Sequence, residues 1–175
     1  MPMLEVLTWN MARRAKAWDF LSGVLMDGSD QPTVALLQEA SPPDELGAIH
    51  RPGGIGAGRP WGSAVLGRGL VLTELDEVTT RYSKHPNSLH QTWPGAVAIA
   101  VASLPGGDSV TFVSVYGVID RGYAITTMHR ILSDLTPLLD SSHGRHVVVG
   151  GDFNCSTQLS RPHRARHRNL FERFE

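Results

Sequence analysis

Apolar and polar positions along the chain alternate between two periods, which predicts strands and helices in succession. Leu4–Asn10 is a short apolar run ending on an amide, the pattern of a buried strand. Ala12–Met26 follows, with Trp18, Leu21, Val24 and Leu25 at helical spacing and Asp27-Gly28 closing it. After the turn residues Asp30-Gln31-Pro32, Thr33–Glu39 reads as a second buried strand with an acid at its end, stopped by Pro42 and Pro43. Arg51–Gly62 has five glycines and two prolines in twelve residues and is predicted to be loop. Ser63–Val78 reads as a pair of strands hinged near Gly67 and Gly69, and the polar Thr79–Pro94 as a second long loop. Gly95–Leu104 and Ser109–Gly117 flank Pro105-Gly106-Gly107-Asp108, a hairpin signal. Ile125, Met128, Ile131, Leu132, Leu135, Leu138 and Leu139 mark one face of an amphipathic helix. His146–Asp152 is a β-branched strand, and Leu170, Phe171 and Phe174 give the last stretch helical spacing.

Composition narrows the class. With 175 residues, 41% hydrophobic and 19% charged, the sequence fits one ordinary globular domain over residues 1–175 and argues against disorder. A formal net charge of −1 supplies no whole-molecule field for polyanions, which excludes a histone-like binder but leaves specific nucleic-acid binding open. One cysteine, Cys155, excludes an internal disulfide framework and a multi-cysteine zinc site. The longest apolar stretch, around Ala96–Ala102, is too short to cross a bilayer, and the start has its charges in the wrong order for a signal peptide. The expectation is a soluble cytoplasmic domain without a membrane span or an obligate protein partner.

Four strand patterns finish in polar groups: Trp9-Asn10, Gln38-Glu39, Tyr116-Gly117 and Gly151-Asp152-Phe153-Asn154. If these strands share a sheet and run the same way, the side chains meet at one rim, where open α/β sheets place their ligand sites. Two carboxylates and two amides with almost no soft ligands suit a hard cation such as Mg²⁺. A zinc site would need His or Cys at ligand spacing, and His163 with His167, although at i, i+4, stand among arginines without an HExxH or CxxC element. A single Asp or Asn after a strand is more often a cap or an Asx-turn than a ligand, and a single Tyr116 more often packing. It is the conjunction and its order that point to a site.

LTWN near the amino terminus, LLQE about thirty residues later, VSVYG and then VVVGGDFN resemble the endonuclease/exonuclease/phosphatase superfamily. That family includes exonuclease III, pancreatic-type deoxyribonucleases, inositol polyphosphate 5-phosphatases and neutral sphingomyelinases. The resemblance runs from Leu4 to about Thr157, and GDFN is its most specific block. It implies an α/β (α+β) fold, a four-layer α/β/β/α sandwich of two mixed sheets. It also implies a Mg²⁺-dependent hydrolase (Mn²⁺ as substitute) acting on a nucleic acid, a phospholipid or a sugar phosphate. By the same resemblance Glu39 is the main Mg²⁺ ligand with Asn10 beside it, and Asp152, also near the metal, deprotonates the attacking water. Asn154 hydrogen-bonds the phosphate or that water, and Tyr116 contacts the phosphate.

Family members close with a further strand and a Ser-Asp-His segment, which is not found after GDFN here. The expectation is therefore either a carboxy-terminally truncated fragment or a degenerate member acting as a phosphate- or nucleic-acid-binding module. The stretch Arg161–Glu175, with five arginines and two histidines against two glutamates, would serve such a module, although it also reads as a solvated helix face. A P-loop hydrolase is excluded because no GxxxxGK[ST] exists, and a kinase because DFN is not DFG and no HRD loop precedes it. The loops Thr79–Pro94 and Arg51–Gly62 are the expected substrate-facing segments, in which Trp93 and Trp61 could stack on a base or anchor the loops.

Overall fold

The computed structural model describes residues 3–25, 31–53, 60–104, 107–158 and 161–174, the side chains of 161 and 162 excepted. Strands β1 (Glu5–Asn10) and β2 (Thr33–Ala40) pair in parallel, with helix α1 (Lys16–Leu25) in the crossover between them. Strands β3 (Ile49–Pro52) and β4 (Gly62–Arg68) complete the first sheet in the order β1-β2-β4-β3, both of their pairings antiparallel. The second sheet repeats this plan. It comprises β5 (Leu72–Glu74), β8 (Val97–Ser103), β9 (Ser109–Tyr116) and β10 (Val147–Asp152), in the order β10-β9-β8-β5, with β9 and β10 parallel. The short strands β6 (Glu77–Val78) and β7 (Asn87–Ser88) form a separate ribbon.

The alternation of side chains along each strand decides the layers. On β2, Val34 and Leu36 face the second sheet and meet Val65, Ala98, Ala100, Ala102 and Phe112. Ala35 and Leu37 face the other way, against Trp18, Leu21 and Leu25 of α1. Both faces of β2 are thus buried, which is why it reads as a continuous apolar run. The alanines of β8 leave room for Phe112, which faces Ala100 across the β8–β9 pair and is fully buried. Burial of a side chain of that size is worth about 1.5–3 kcal/mol. On the outer face of the second sheet, Val97, Ile99, Val113 and Val115 pack under three helices: α2 (Ile125–Asp134), α3 (Thr136–Leu139) and α4 (Arg161–Phe171). The result is the expected four-layer α/β/β/α sandwich.

Several expectations are corrected. Ala12–Ala15 do not begin the helix; Ala12 and Arg13 are left-handed (φ 49° and 60°), and α1 starts at Lys16. Ser63–Val78 is not one strand pair: β4 belongs to the first sheet and β5 to the second, so the chain crosses the sandwich between Gly69 and Val71. The ends of the predicted loop Arg51–Gly62 pair with each other, Pro52 opposite Gly62. Thr79–Pro94 is not all loop: it contains β7, which pairs back on β6, and it is strapped to the outer helices by Arg81–Asp140 and Thr92–Asp134 hydrogen bonds. The helix over Ile125–Leu139 breaks at Leu135, because Pro137 lacks the N–H that a continuous helix would bond to Ser133. The Asp27-Gly28 closure, residues 54–59 of the predicted loop Arg51–Gly62 and Pro105-Gly106 lie outside the described residues. Among the described residues no helix is long and apolar enough to cross a membrane.

Candidate active site

The four polar strand ends do meet at one rim, but not within one sheet. Asn10 and Glu39 come from the parallel pair of the first sheet, Tyr116 and Asp152 from that of the second. The sandwich therefore closes the site across its mid-plane.

In the first sheet the β1–β2 ladder continues beyond the strands through Met11 N to Gln38 O (2.8 Å) and Arg13 N to Glu39 O (3.0 Å). The β2–β4 register shifts between Leu37 and Ala40, and Glu39 within this bulge takes a left-handed φ of 48°. For a residue with a Cβ that conformation costs about 1–2 kcal/mol, and at this site it turns the carboxylate out of the pleat toward the rim. Gln38, which is buried, donates from Nε2 to Ser114 Oγ (3.0 Å), and Ser114 Oγ donates in turn to Leu37 O (2.8 Å). These two bonds lock the two sheets together directly beneath the site.

In the second sheet β10 ends in glycines for a different reason. A Cβ on Gly150 would come within 2.8 Å of Leu36 Cδ1, and one on Gly151 (φ 153°) would run into the carbonyl of Val115. Glycines let β10 lie close to both its neighbour and the opposite sheet, and so carry Asp152 to the rim.

The side chains converge on Asn10. Its Nδ2 donates to Glu39 Oε1 (3.1 Å) and to Asp152 Oδ2 (2.8 Å), the latter contact spanning 142 positions of sequence. Asn10 Oδ1 accepts from Ala12 N (2.8 Å), and Asp152 Oδ1 accepts from Asn154 N (3.0 Å). One oxygen of each of these side chains thus closes an Asx-type turn, while the remaining polar atom joins the two strand ends. The second oxygen of Glu39 pairs with Arg13 Nε at 3.1 Å. The Arg13 guanidinium lies 5.4 Å from the centroid of the Trp61 ring, and Trp61 meets Tyr116 edge-on at 6.0 Å. The pKa of the Tyr116 hydroxyl is raised above its ordinary value. Burial is the main cause, followed by the negative charges of Glu39 and Asp152 and a hydrogen bond to Glu39, with Arg13 opposing. Asn154, left-handed at φ 49°, donates from Nδ2 to Gly117 O (2.9 Å), so its amide braces the end of β9 beside the carboxylates. Cys155 has its thiol pushed up to about 11 by burial and then by Asp152, which leaves it un-ionised and a poor nucleophile.

Two carboxylates within reach of one amide suit a hard, oxygen-seeking cation that needs few protein ligands. Among the described residues no three His, Cys, Asp or Glu side chains gather into one group. His167 accepts from Ser156 N through Nδ1 (3.0 Å) and His163 stacks on Tyr123 at 5.7 Å, so the two histidines serve packing. Arg13 and Trp61 are the rim residues whose part in the site sequence reading did not identify. Arg13 is disguised by an apparently helical context, while Trp61 was open between stacking and anchoring. Trp93 packs against the core beneath the outer helices.

No protein-family model matches the chain, and no curated protein matches its sequence. Among solved structures, the endonuclease domain of TRAS1, a telomere-specific non-LTR retrotransposon, is similar in fold. It superposes with a TM-score of 0.62 over 97% of this chain and 68% of that one, at 15% sequence identity. At that identity the likeness carries architecture and not activity. The chain has the DNase I-like α/β/β/α sandwich fold, as its strand-end motifs imply.

Proposed function

We propose that this chain is a metal-dependent phosphoester hydrolase of the endonuclease/exonuclease/phosphatase superfamily, acting on a phosphodiester with water as the nucleophile. The observation that carries the reading is the Asn10 amide, which ties Glu39 of one sheet to Asp152 of the other at a single rim. The fold shared with an endonuclease domain favours a nucleic acid over a phospholipid or a sugar phosphate as substrate.

Glu39, with Asn10 beside it, would hold Mg²⁺, and Mn²⁺ in its place. When bound, the ion neutralises phosphate charge and polarises the phosphoryl oxygen. Asp152 has Oδ1 fixed by the Asn154 N–H and Oδ2 by the Asn10 amide, so the carboxylate is held in place and its remaining lone pairs would orient a water and accept its proton. The Tyr116 hydroxyl, hydrogen-bonded to Glu39 in this structure, would turn to donate to a phosphate oxygen as negative charge develops. Asn154 holds the β9 end in register with β10 so that Tyr116 and Asp152 keep their separation.

The test is hydrolysis of bis(p-nitrophenyl) phosphate by this chain with Mg²⁺ and with chelator, beside Glu39→Ala. Turnover that the chelator removes and that the variant lacks, while remaining folded by circular dichroism, is the expected outcome. A folded wild-type chain without metal-dependent turnover, or a fully active variant at matched Mg²⁺, overturns the reading.

A further inference from the structure

Helix α4 carries a run of arginines that the hydrolytic site does not use, and its placement gives them a role. The helix is fixed to the strand that bears Asp152. Ser156 N donates to His167 Nδ1 (3.0 Å), Phe153 stacks with Phe174 at 5.5 Å, and Phe171 lies 6.4 Å from Phe153. His167 and Leu170 form its buried edge. Arg173 bonds to the carbonyl of His129 (2.8 Å), which ties the far end to α2. Phe171, with Gly151, Asp152, Phe153, Asn154, Cys155 and Ser156, lines an open cleft. Side chains three, four or seven positions apart share one side of a helix, so Arg164 and Arg168 lie on the same flank as Phe171. Both arginines are exposed, and no acidic residue occurs from Arg161 to Phe171.

We propose that Arg164 and Arg168 form a polynucleotide-backbone site, binding phosphates that flank the bond held at Asp152. This rests on the reading that the β10 end is the hydrolytic site, and it deepens that reading by naming the two side chains that hold the phosphates on either side of the bond cleaved. The charge sign decides the occupant. Two guanidiniums four residues apart on one helix flank match successive phosphates, each able to take two parallel hydrogen bonds. A small phosphate ester in the cleft would need no such track. The near-zero net charge of the whole chain makes this local placement the source of attraction, since the overall field supplies none.

The experiment is binding of a fluorescent single-stranded DNA oligonucleotide, followed by anisotropy across a salt series in chelator, where no turnover is required. Each phosphate contact adds about 0.7 to the slope of log K against log salt, so R164Q/R168Q is expected to lose about 1.4 of that slope. It should bind roughly tenfold or more weakly at low salt. Arg145→Gln, an exposed arginine before the opposite end of β10, is the control and should keep the wild-type slope. Unchanged slope and affinity in a folded double variant overturn the proposal, as does an equal loss in the Arg145 control. Loss of binding to anionic phospholipid vesicles with oligonucleotide binding intact also overturns it. If the wild type fails to hydrolyse the small diester yet the slope falls as expected, the hydrolytic reading fails and the backbone site stands.

Discussion

The two sheets of the sandwich are built to one plan and reach the same rim by opposite means. Each sets a parallel pair beside two antiparallel pairings, and each parallel pair delivers one carboxylate. In the first sheet the carboxylate is turned outward by strain, because Glu39 occupies a left-handed bulge that its own Cβ disfavours. In the second, Asp152 is delivered by the removal of side chains, because Gly150 and Gly151 allow β10 to approach Leu36 and the Val115 carbonyl. The first device stores energy at a residue of the hydrogen-bonded cluster itself; the second lowers the cost of packing at residues beneath it. A site spanning two sheets requires both, since neither strand end alone places two carboxylates on one amide.

The largest effect should come from the chemistry itself. Asp152→Asn should retain Mg²⁺ binding by calorimetry but lose turnover by about 10³-fold or more, whereas Glu39→Ala should lose both. Wild-type-like turnover in the Asp152 variant removes that residue from the mechanism. Next in size is the packing device. Gly151→Ala should cost about 3 kcal/mol in denaturant unfolding, because its Cβ meets fixed backbone. Gly150→Ala should cost about 1 kcal/mol, because the tip of Leu36 can yield. Equal costs would show that the close approach to Val115 is not what holds β10. The strain device is tested in the opposite direction. Glu39→Gly should abolish turnover as Glu39→Ala does, yet unfold at higher denaturant, with a gain of about 1 kcal/mol from relief of the left-handed conformation. A loss of stability would mean that the Arg13–Glu39 pair outweighs the strain.

The smallest effect concerns the link between the second sheet and α4. Burial, and then the charge of His163, holds the His167 ring below its ordinary value of 6.5. The unfolded chain therefore binds this proton more readily than the folded one, and the stability is present above pH 6.5 and lost as the pH falls below it. Protonation would also remove the Nδ1 lone pair that accepts from Ser156. His50 and His129 are shifted in the same direction, so the readout is a difference. The loss of stability between pH 7.5 and 5.5 should be smaller in His167→Gln than in the wild type. An unchanged difference would place the pH dependence elsewhere.

How much could be read beforehand depended on the range of the interaction. Thr33–Glu39 was legible as a buried strand because burial on both faces writes a continuous apolar run, whereas β10, half-buried along its length, was legible from its β-branched residues. The β8–β9 hairpin was legible from its turn residues. The start of α1 was not, since Ala12 and Arg13 suit a helix by propensity and are left-handed only because the chain must turn over the rim after Asn10. The crossing after β4 was hidden too, because strands that pair in one hairpin and strands that part into two sheets share the same local alternation. Among the site residues, Asn10, Glu39, Tyr116 and Asp152 were visible as polar groups closing apolar runs, whereas Arg13 and Trp61 carry no local signal of their partners.

The sequence by itself determined the alternation of elements, the faces that had to be buried and the polar residues at the strand ends, because each follows from periods of a few residues. It also carried the GDFN and QE blocks that implied the sandwich. Only the tertiary structure decided that the carboxylates come from different sheets, that one amide joins them, and that Phe171 of α4 borders the cleft beside Asp152. Those facts are distances between residues far apart in the chain, set by how two twisted sheets and their covering helices pack. No local pattern of residues fixes such a distance until the core beneath it has formed.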